Sequence, residues 1–321
     1  MKASPRCRRW PHSFWRTPAG TFARRAMHEH AGPATPLAVV AGRGDLPRQV
    51  AERRASAGLP YVLIIFPECH EDWMDSHPSE RHRFERLGAV FRSLAAHKAS
   101  HIVLAGAMNR PRLQFWRIDF KTLIIAFRAL PLLRRGDDTM LRGYASMIEA
   151  EGFSLISPHE ILGKASLVPP GALGKETLDA TARSDAARAA AIVDALGPLD
   201  VGQGAVVGAG LCLGVEAIEG TDLMLDRIAA LPPERRSVAA PPCGVLFKGP
   251  KPNQDRRIDL PAIGPRTVAG AARAGLSGIV VAAGATTLLE AEETRRAADK
   301  ERISIYGAEP QELLAWRKTD P

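Results

Sequence analysis

The sequence predicts an α/β protein of two domains, and three observations carry that expectation. Strand-like and helix-like patterns alternate from residue 36 to residue 108, the signature of a parallel sheet with helices on its faces. The pattern breaks at "ASLVPPGALG", residues 165–174, where two prolines and two glycines interrupt it, and then resumes. The 321 residues, 45% apolar and 24% charged, suffice for two ordinary domains and suit a soluble globular chain.

The elements follow in order. Within "PLAVVAGRGDLP", Leu37 to Ala41 reads as a buried strand running into a glycine turn, and "RQVAERRASAG" continues with helical spacing to a C-cap at Gly58. "YVLIIF" (61–66) is a second strand, "RLGAVFRSLAAHKA" a helix and "HIVLAGAM" (101–108) a third strand. "DFKTLIIAFRALPLLRRGDDTMLRGYASMIEAEG" supplies two helices with "RRGDD" between them, and "FSLISPHEILG" a short strand and turn. After the break come the helix "SDAARAAAIVDALGPLD", a glycine-rich hairpin "QGAVVGAGLCLGVEA" and the helix "GTDLMLDRIAAL". "CGVLFKG" is a strand leading to the loop "KGPKPNQDRRIDLPAIG". The helix "PRTVAGAARAG", the strand "LSGIVVAAG", the helix "LEAEETRRAADKER" and the strand "ISIYG" complete the set. The expected layout is an extension at 1–35, domains at 36–164 and 175–310 joined by a linker at 165–174, and a tail at 311–321.

The net charge of +8 is concentrated. Residues 1–35 carry Lys2, Arg6, Arg8, Arg9, Arg16, Arg24 and Arg25 against Glu29 alone, so six of the eight net charges lie there. The rest is nearly neutral, and no nucleic-acid partner is expected. The extension lacks the apolar core of a secretory signal and has the composition of a disordered tail or basic arm; Met27 offers an alternative start. Cys7, Cys69, Cys212 and Cys243 are scattered without C-x-x-C spacing, which argues for a reducing compartment and against structural zinc. No apolar run approaches a membrane span. A cytoplasmic protein is expected.

Four segments carry candidate chemistry, each with a structural alternative. The turn Gly42–Pro47 lets backbone approach a phosphate, but Pro47 stands where a third dinucleotide-fingerprint glycine belongs, so from this motif alone a plain strand-to-helix turn is the preferred reading. Asp137 and Asp138 of "RRGDDTMLR" suit a helix cap, or one of them a metal or sugar hydroxyl. Glu216, Glu219, Thr221 and Asp222 cluster at a strand end, where α/β proteins hold ligands, yet Thr221 and Asp222 are also natural N-cap residues. In "KGPKPNQDRRIDLPAIG", Lys248, Lys251 and Arg257 surround Asp255 and Asp259; this is either a solvated turn or an anion site whose carboxylate holds a divalent cation or a water. The histidines of "PECHEDWMDSHPSERH" lack metal-site spacing and read as a solvated loop.

Taken in order and spacing, "VVAGRGDLP", "LAGAMNRP", "RRGDDTMLR", "LDVGQGAVV", "VEAIEGTDLML", "KGPKPNQDRRIDLPAIG" and "AGLSGIVVAAG" resemble UDP-2,3-diacylglucosamine pyrophosphatases of the alpha-proteobacterial type, from about Pro36 to about Pro310. The resemblance implies a Rossmann-like first domain with a mainly parallel sheet, a mixed α/β second domain, and substrate between them. It implies Mg²⁺-dependent hydrolysis of a lipid-linked UDP-sugar to UMP and 2,3-diacylglucosamine 1-phosphate in lipid A biosynthesis, with water attacking the α-phosphorus. The family's important aspartate falls on Asp259, expected to bind Mg²⁺ or orient the water. Gly42, Gly44, Leu46, Pro47, Gly106, Asp138, Gln203, Thr221, Asp222, Lys248, Lys251 and Arg257 are the expected substrate contacts. Transient contact with the inner-membrane surface follows from the lipid substrate, through "LQFWRIDFKTLIIAFRALPLL" (113–133) if that stretch is not simply core-facing or an acyl pocket. Self-association into a homo-oligomer stays open. The rivals are an NAD(P)-dependent oxidoreductase, disfavoured by the missing third glycine, and a non-catalytic nucleotide or lipid binder.

Overall fold

The computed structural model describes residues 34–108, 114–129, 137–232, 244–252 and 254–318; the basic extension lies almost wholly outside them. The first domain alternates β1 (Leu37–Ala41), α1 (Asp45–Ser56), β2 (Tyr61–Ile65), β3 (Ser79–Arg81), α2 (Leu87–Ala96), β4 (His101–Ala105), α3 (Phe120–Ala129), α4 (Asp137–Ala150), β5 (Ser154–Leu155) and α5 (Pro158–Leu162). Its five strands are all parallel, in the order β3-β2-β1-β4-β5. The three central strands, β2, β1 and β4, are apolar at nearly every position because both faces are covered, whereas the edge strand β3 is polar throughout. Leu37, Val39 and Ala41 meet Val50 and Ala51 of α1 and Ile161 of α5. Ala38 on the other face joins Val90 and Leu94 of α2 and Ala145 of α4.

The second domain adds β6 (Gly171–Ala172), α6 (Ala180–Leu196), β7 (Gly204–Gly208), β8 (Leu211–Val215), α7 (Gly220–Ala229), β9 (Val245–Lys248), β10 (Ala262–Ile263), α8 (Pro265–Arg273), β11 (Gly278–Ala282), β12 (Thr287–Leu288), α9 (Ala291–Glu301), β13 (Ser304–Ala308) and α10 (Pro310–Lys318). Its main sheet is mixed, in the order β6-β13-β11-β9-β7-β8: β9, β11 and β13 are parallel, while β6, β7 and β8 join antiparallel. The expected hairpin is β7–β8. Its turn, with Ala209 at φ 48° and Gly210 at φ 77°, is held by Asp185 of α6, which accepts both backbone N–H groups. α7, α8 and α9 cover one face, α6 and α10 the other. The residues expected as a tail carry α10, whose Leu313 is buried against the second of these cores.

His159, in α5, sits where the domains meet. Its Nδ1 pairs with Ser166 Oγ at 2.8 Å and its Nε2 with Thr287 Oγ1 of the second domain at 3.2 Å. Burial pushes its pKa down from 6.5 to about 4. The unfolded chain therefore binds the extra proton between pH 6.5 and 4, and stability present above pH 6.5 is lost as pH falls through that window. The expected loss by about pH 4.5 is roughly 2–3 kcal/mol. Urea unfolding midpoints of the parent and His159→Gln should converge as pH falls, the variant lacking this component.

Candidate active site

The candidate site lies at the carboxyl end of β9 and the start of β7, on the edge where open α/β sheets hold ligands. Lys248, the last residue of β9, is 5% exposed. Its Nζ donates to Thr221 Oγ1 at 2.8 Å and to the Ala262 carbonyl at 3.1 Å. The Thr221 hydroxyl donates in turn to Glu216 Oε1 at 3.1 Å, so three side chains, from β9, from α7 and from just after β8, form one directed chain. Glu216 is buried, and its Oε2 has no hydrogen-bond partner among the described residues. Glycines make the room. A Cβ on Gly204 would lie 2.6 Å from Glu216 Oε2, and one on Gly202, at φ 56°, would collide with the Glu216 carbonyl.

The loop after β9 separates the two aspartates that its composition left equivalent. Asp255 Oδ1 and Oδ2 accept a fork from Arg257 Nε and Nη2 at 3.0 and 2.7 Å. That guanidinium holds the Asp255 carboxyl below its usual range and is itself raised by the same bonds. Asp259 is held differently: Gln254 Nε2 donates to its Oδ2 at 2.5 Å and also reaches Gln203 Oε1 at 3.3 Å. Gln254 is in turn fixed by the Lys251 N–H, which donates to its Oε1 at 2.9 Å. Asp259 Oδ1 accepts no hydrogen bond among the described residues. The half-buried carboxylate is thus oriented by one oxygen and left with the other to use.

The same loop touches the first domain. Arg257 Nη1 pairs with Glu149 of α4 at 2.6 Å, and Ile258 packs on the core beside β1. Asp259 follows directly, so the site is built at the junction of the two domains.

The other expected residues fall unequally around this centre. Gln203, Thr221, Lys248 and Asp259 belong to it. Lys251 is close but ion-paired with Asp200, and Arg257 is committed to two carboxylates. Asp222 pairs with Arg266 at 2.5 Å on the surface. The N-cap reading of Thr221 and Asp222 is corrected: α7 starts at Gly220 behind Glu219, without a side-chain cap, and the Thr221 hydroxyl serves Glu216 and Lys248 instead. Glu219 is paired with Arg227. Gly42, Gly44, Leu46, Pro47 and Gly106 do come together, at the carboxyl ends of β1 and β4. There Arg43 and Ala107 exchange backbone bonds, and a Cβ on Gly42 would lie 2.7 Å from the Ala107 carbonyl. The Gly44 N–H, however, already donates to Glu71 Oε1 at 3.2 Å. The side chain of Asp138 lies outside the described residues.

Gln254 and Asp200 are the residues sequence reasoning missed. A neutral glutamine in a loop full of charges gives no signal, and Asp200 announces itself only by its left-handed backbone, φ 59°. Among the described residues no group of three or more His, Cys, Asp or Glu side chains could cage a metal. A cation taking one carboxylate oxygen here and the rest of its ligands from phosphate and water would fit Asp259.

The LpxI N-terminal domain family matches residues 36–165 and the LpxI C-terminal domain family residues 169–306. A curated relative, the UDP-2,3-diacylglucosamine pyrophosphatase LpxI of Caulobacter vibrioides, is 37% identical over 276 residues, covering 86% of this chain and 98% of that protein.

Proposed function

Because the chain belongs to the LpxI family across both of its domains, we propose that it is a hydrolase cleaving the pyrophosphate of UDP-2,3-diacylglucosamine to UMP and 2,3-diacylglucosamine 1-phosphate in lipid A biosynthesis. The observation that carries this reading is Asp259, oriented through Gln254 and Gln203 with one oxygen unspent, in the loop that follows the buried Lys248.

In this mechanism water attacks the α-phosphorus, on the uridine side, and Asp259 Oδ1 orients it. Negative charge grows on the phosphate oxygens as the phosphorus is attacked. Lys248 answers it with the ammonium hydrogen not used by Thr221 or Ala262, and the Thr221–Glu216 chain fixes where that hydrogen points. Gln203 accepts from Gln254 and keeps its own amide donors for substrate. Lys251 and Arg257 are already neutralised by their partners, so their contribution to phosphate charge is small. Mg²⁺ fits this balance at Asp259, where it would supply the missing charge neutralisation at the phosphates. The Gly42–Pro47 turn is assigned to the uridine or sugar hydroxyls rather than to a phosphate, because Glu71 places a carboxylate on its amide.

The enzyme is expected to work at the cytoplasmic face of the inner membrane, where such a lipid resides; no helix among the described residues is long and apolar enough to cross a membrane. Incubation with UDP-2,3-diacylglucosamine should release UMP, stop on addition of EDTA and resume with excess Mg²⁺. Hydrolysis in ¹⁸O-water should label UMP; label in the lipid product would move the attack to the other phosphorus. Tight binding without turnover in any divalent cation would leave a non-catalytic binder.

A further inference from the structure

Helix α3 turns an apolar face away from the protein. Phe120, Leu123, Ile124 and Phe127 recur at the spacing that ordinarily faces a core. Yet Phe120 is 78% exposed and Phe127 68%, and Trp116 just ahead of them is 81% exposed. The helix is not loose. The Thr122 hydroxyl accepts from the Leu87 N–H at 2.8 Å, Asp119 accepts from the Thr122 N–H at 2.7 Å, and Lys121 lies over the Phe91 ring and pairs with Glu151. One side is therefore anchored on α2 while the other side stands out from the protein.

Beside this face opens a cleft lined by Arg81, His82, Arg83, Arg86, Ala89 and Arg117. Arg81 is paired with Asp75, but Arg83, Arg86 and Arg117 make no side-chain hydrogen bond or ion pair among the described residues. Glu85, between two of them, is buried and accepts from the Gln114 N–H; that bond, with the charges of Arg83 and Arg117, holds its carboxyl below the usual range, so one buried carboxylate offsets only part of the charge of three surface arginines. Arg81 ends β3, which places the arginines at the same carboxyl edge of the first sheet as the Gly42–Pro47 turn.

We propose that this face docks the protein on a bilayer carrying anionic phospholipid. Trp116, Phe120, Leu123, Ile124 and Phe127 enter the boundary between headgroups and acyl chains, and Arg83, Arg86 and Arg117 take lipid phosphate oxygens. An apolar helix face alone would suit any nonpolar partner; unpaired arginines beside it select an anionic surface, since guanidinium forks match phosphate and each cation adds to attraction by a negative leaflet. The proposal rests on the proposed function for its purpose, because the substrate is itself a membrane lipid, but its test needs no substrate.

The full chain is sedimented with vesicles of phosphatidylcholine alone, or of phosphatidylcholine with equimolar phosphatidylglycerol. Binding should favour the anionic vesicles by about tenfold or more and weaken in high salt. Phe120→Ser with Phe127→Ser should lower it about tenfold, and Arg83→Glu with Arg86→Glu should abolish the preference for phosphatidylglycerol. All four side chains are exposed, so thermal midpoints should match the parent. Equal binding to both vesicle types, or none, overturns the proposal. A dimer in solution that the phenylalanine variant dissociates, without vesicle binding, assigns the face to a second copy. Unchanged vesicle binding with a raised KM in that variant assigns it to the substrate's acyl chains. Loss of UMP release in the parent would speak against the proposed function and leave the vesicle result standing.

Discussion

Asp259→Asn is expected to lower kcat on UDP-2,3-diacylglucosamine by about 10³-fold, with the fold intact. Asparagine keeps an oxygen to accept from Gln254 but removes the charge that would hold a cation and order the attacking water. Asp255→Asn is the matched control from the same loop. It breaks the Arg257 fork and should cost about 1–2 kcal/mol of stability, while kcat changes only severalfold. UMP release and urea midpoints measured on both variants decide the matter. Equal losses of kcat in the two would sink the assignment of Asp259.

Lys248→Met is expected to lower kcat by about 10²-fold or more and stability by about 1–3 kcal/mol. Methionine fills a similar volume, so the change isolates the lost donor. Without it the Ala262 carbonyl and the Thr221 hydroxyl each lose a partner inside the protein, and no cation faces the developing charge. Glu216→Gln should be milder in kcat, because it still offers Thr221 an acceptor. A Lys248→Met enzyme with parental kcat would remove the lysine from the mechanism and leave it a purely structural group.

The sheets were legible because strands buried on both faces are written as continuous apolar runs, from "LAVVA" to "SIYGA". The site was less so, since its logic depends on partners distant in the chain. A threonine near a helix start looks like a cap until β8 and β9 bring Glu216 and Lys248 to its hydroxyl. Asp255 and Asp259 are alike in composition; only the folded loop shows that one is spent on Arg257 and the other is not. Lys248 read as one cation of a charged loop, although it closes a buried strand. The amphipathic stripe of α3 was visible, but periodicity cannot say whether such a stripe faces inward. Helix α10 was missed because its few apolar residues stand among charges at the end of the chain, and only α6 gives Leu313 something to cover.

Ile258 and Asp259 are consecutive residues with different allegiances: the first is packed on the N-terminal core, the second is tied to Gln254. The two halves are therefore not interchangeable parts. A C-terminal fragment severed ahead of β6 would keep its six-stranded sheet, yet show water a greasy side chain next to Asp259 and, one residue earlier, an arginine stripped of Glu149. Recombination that paired this half with a foreign first half would have to recreate that seat before chemistry could resume. Such a constraint binds the halves together as one inherited unit.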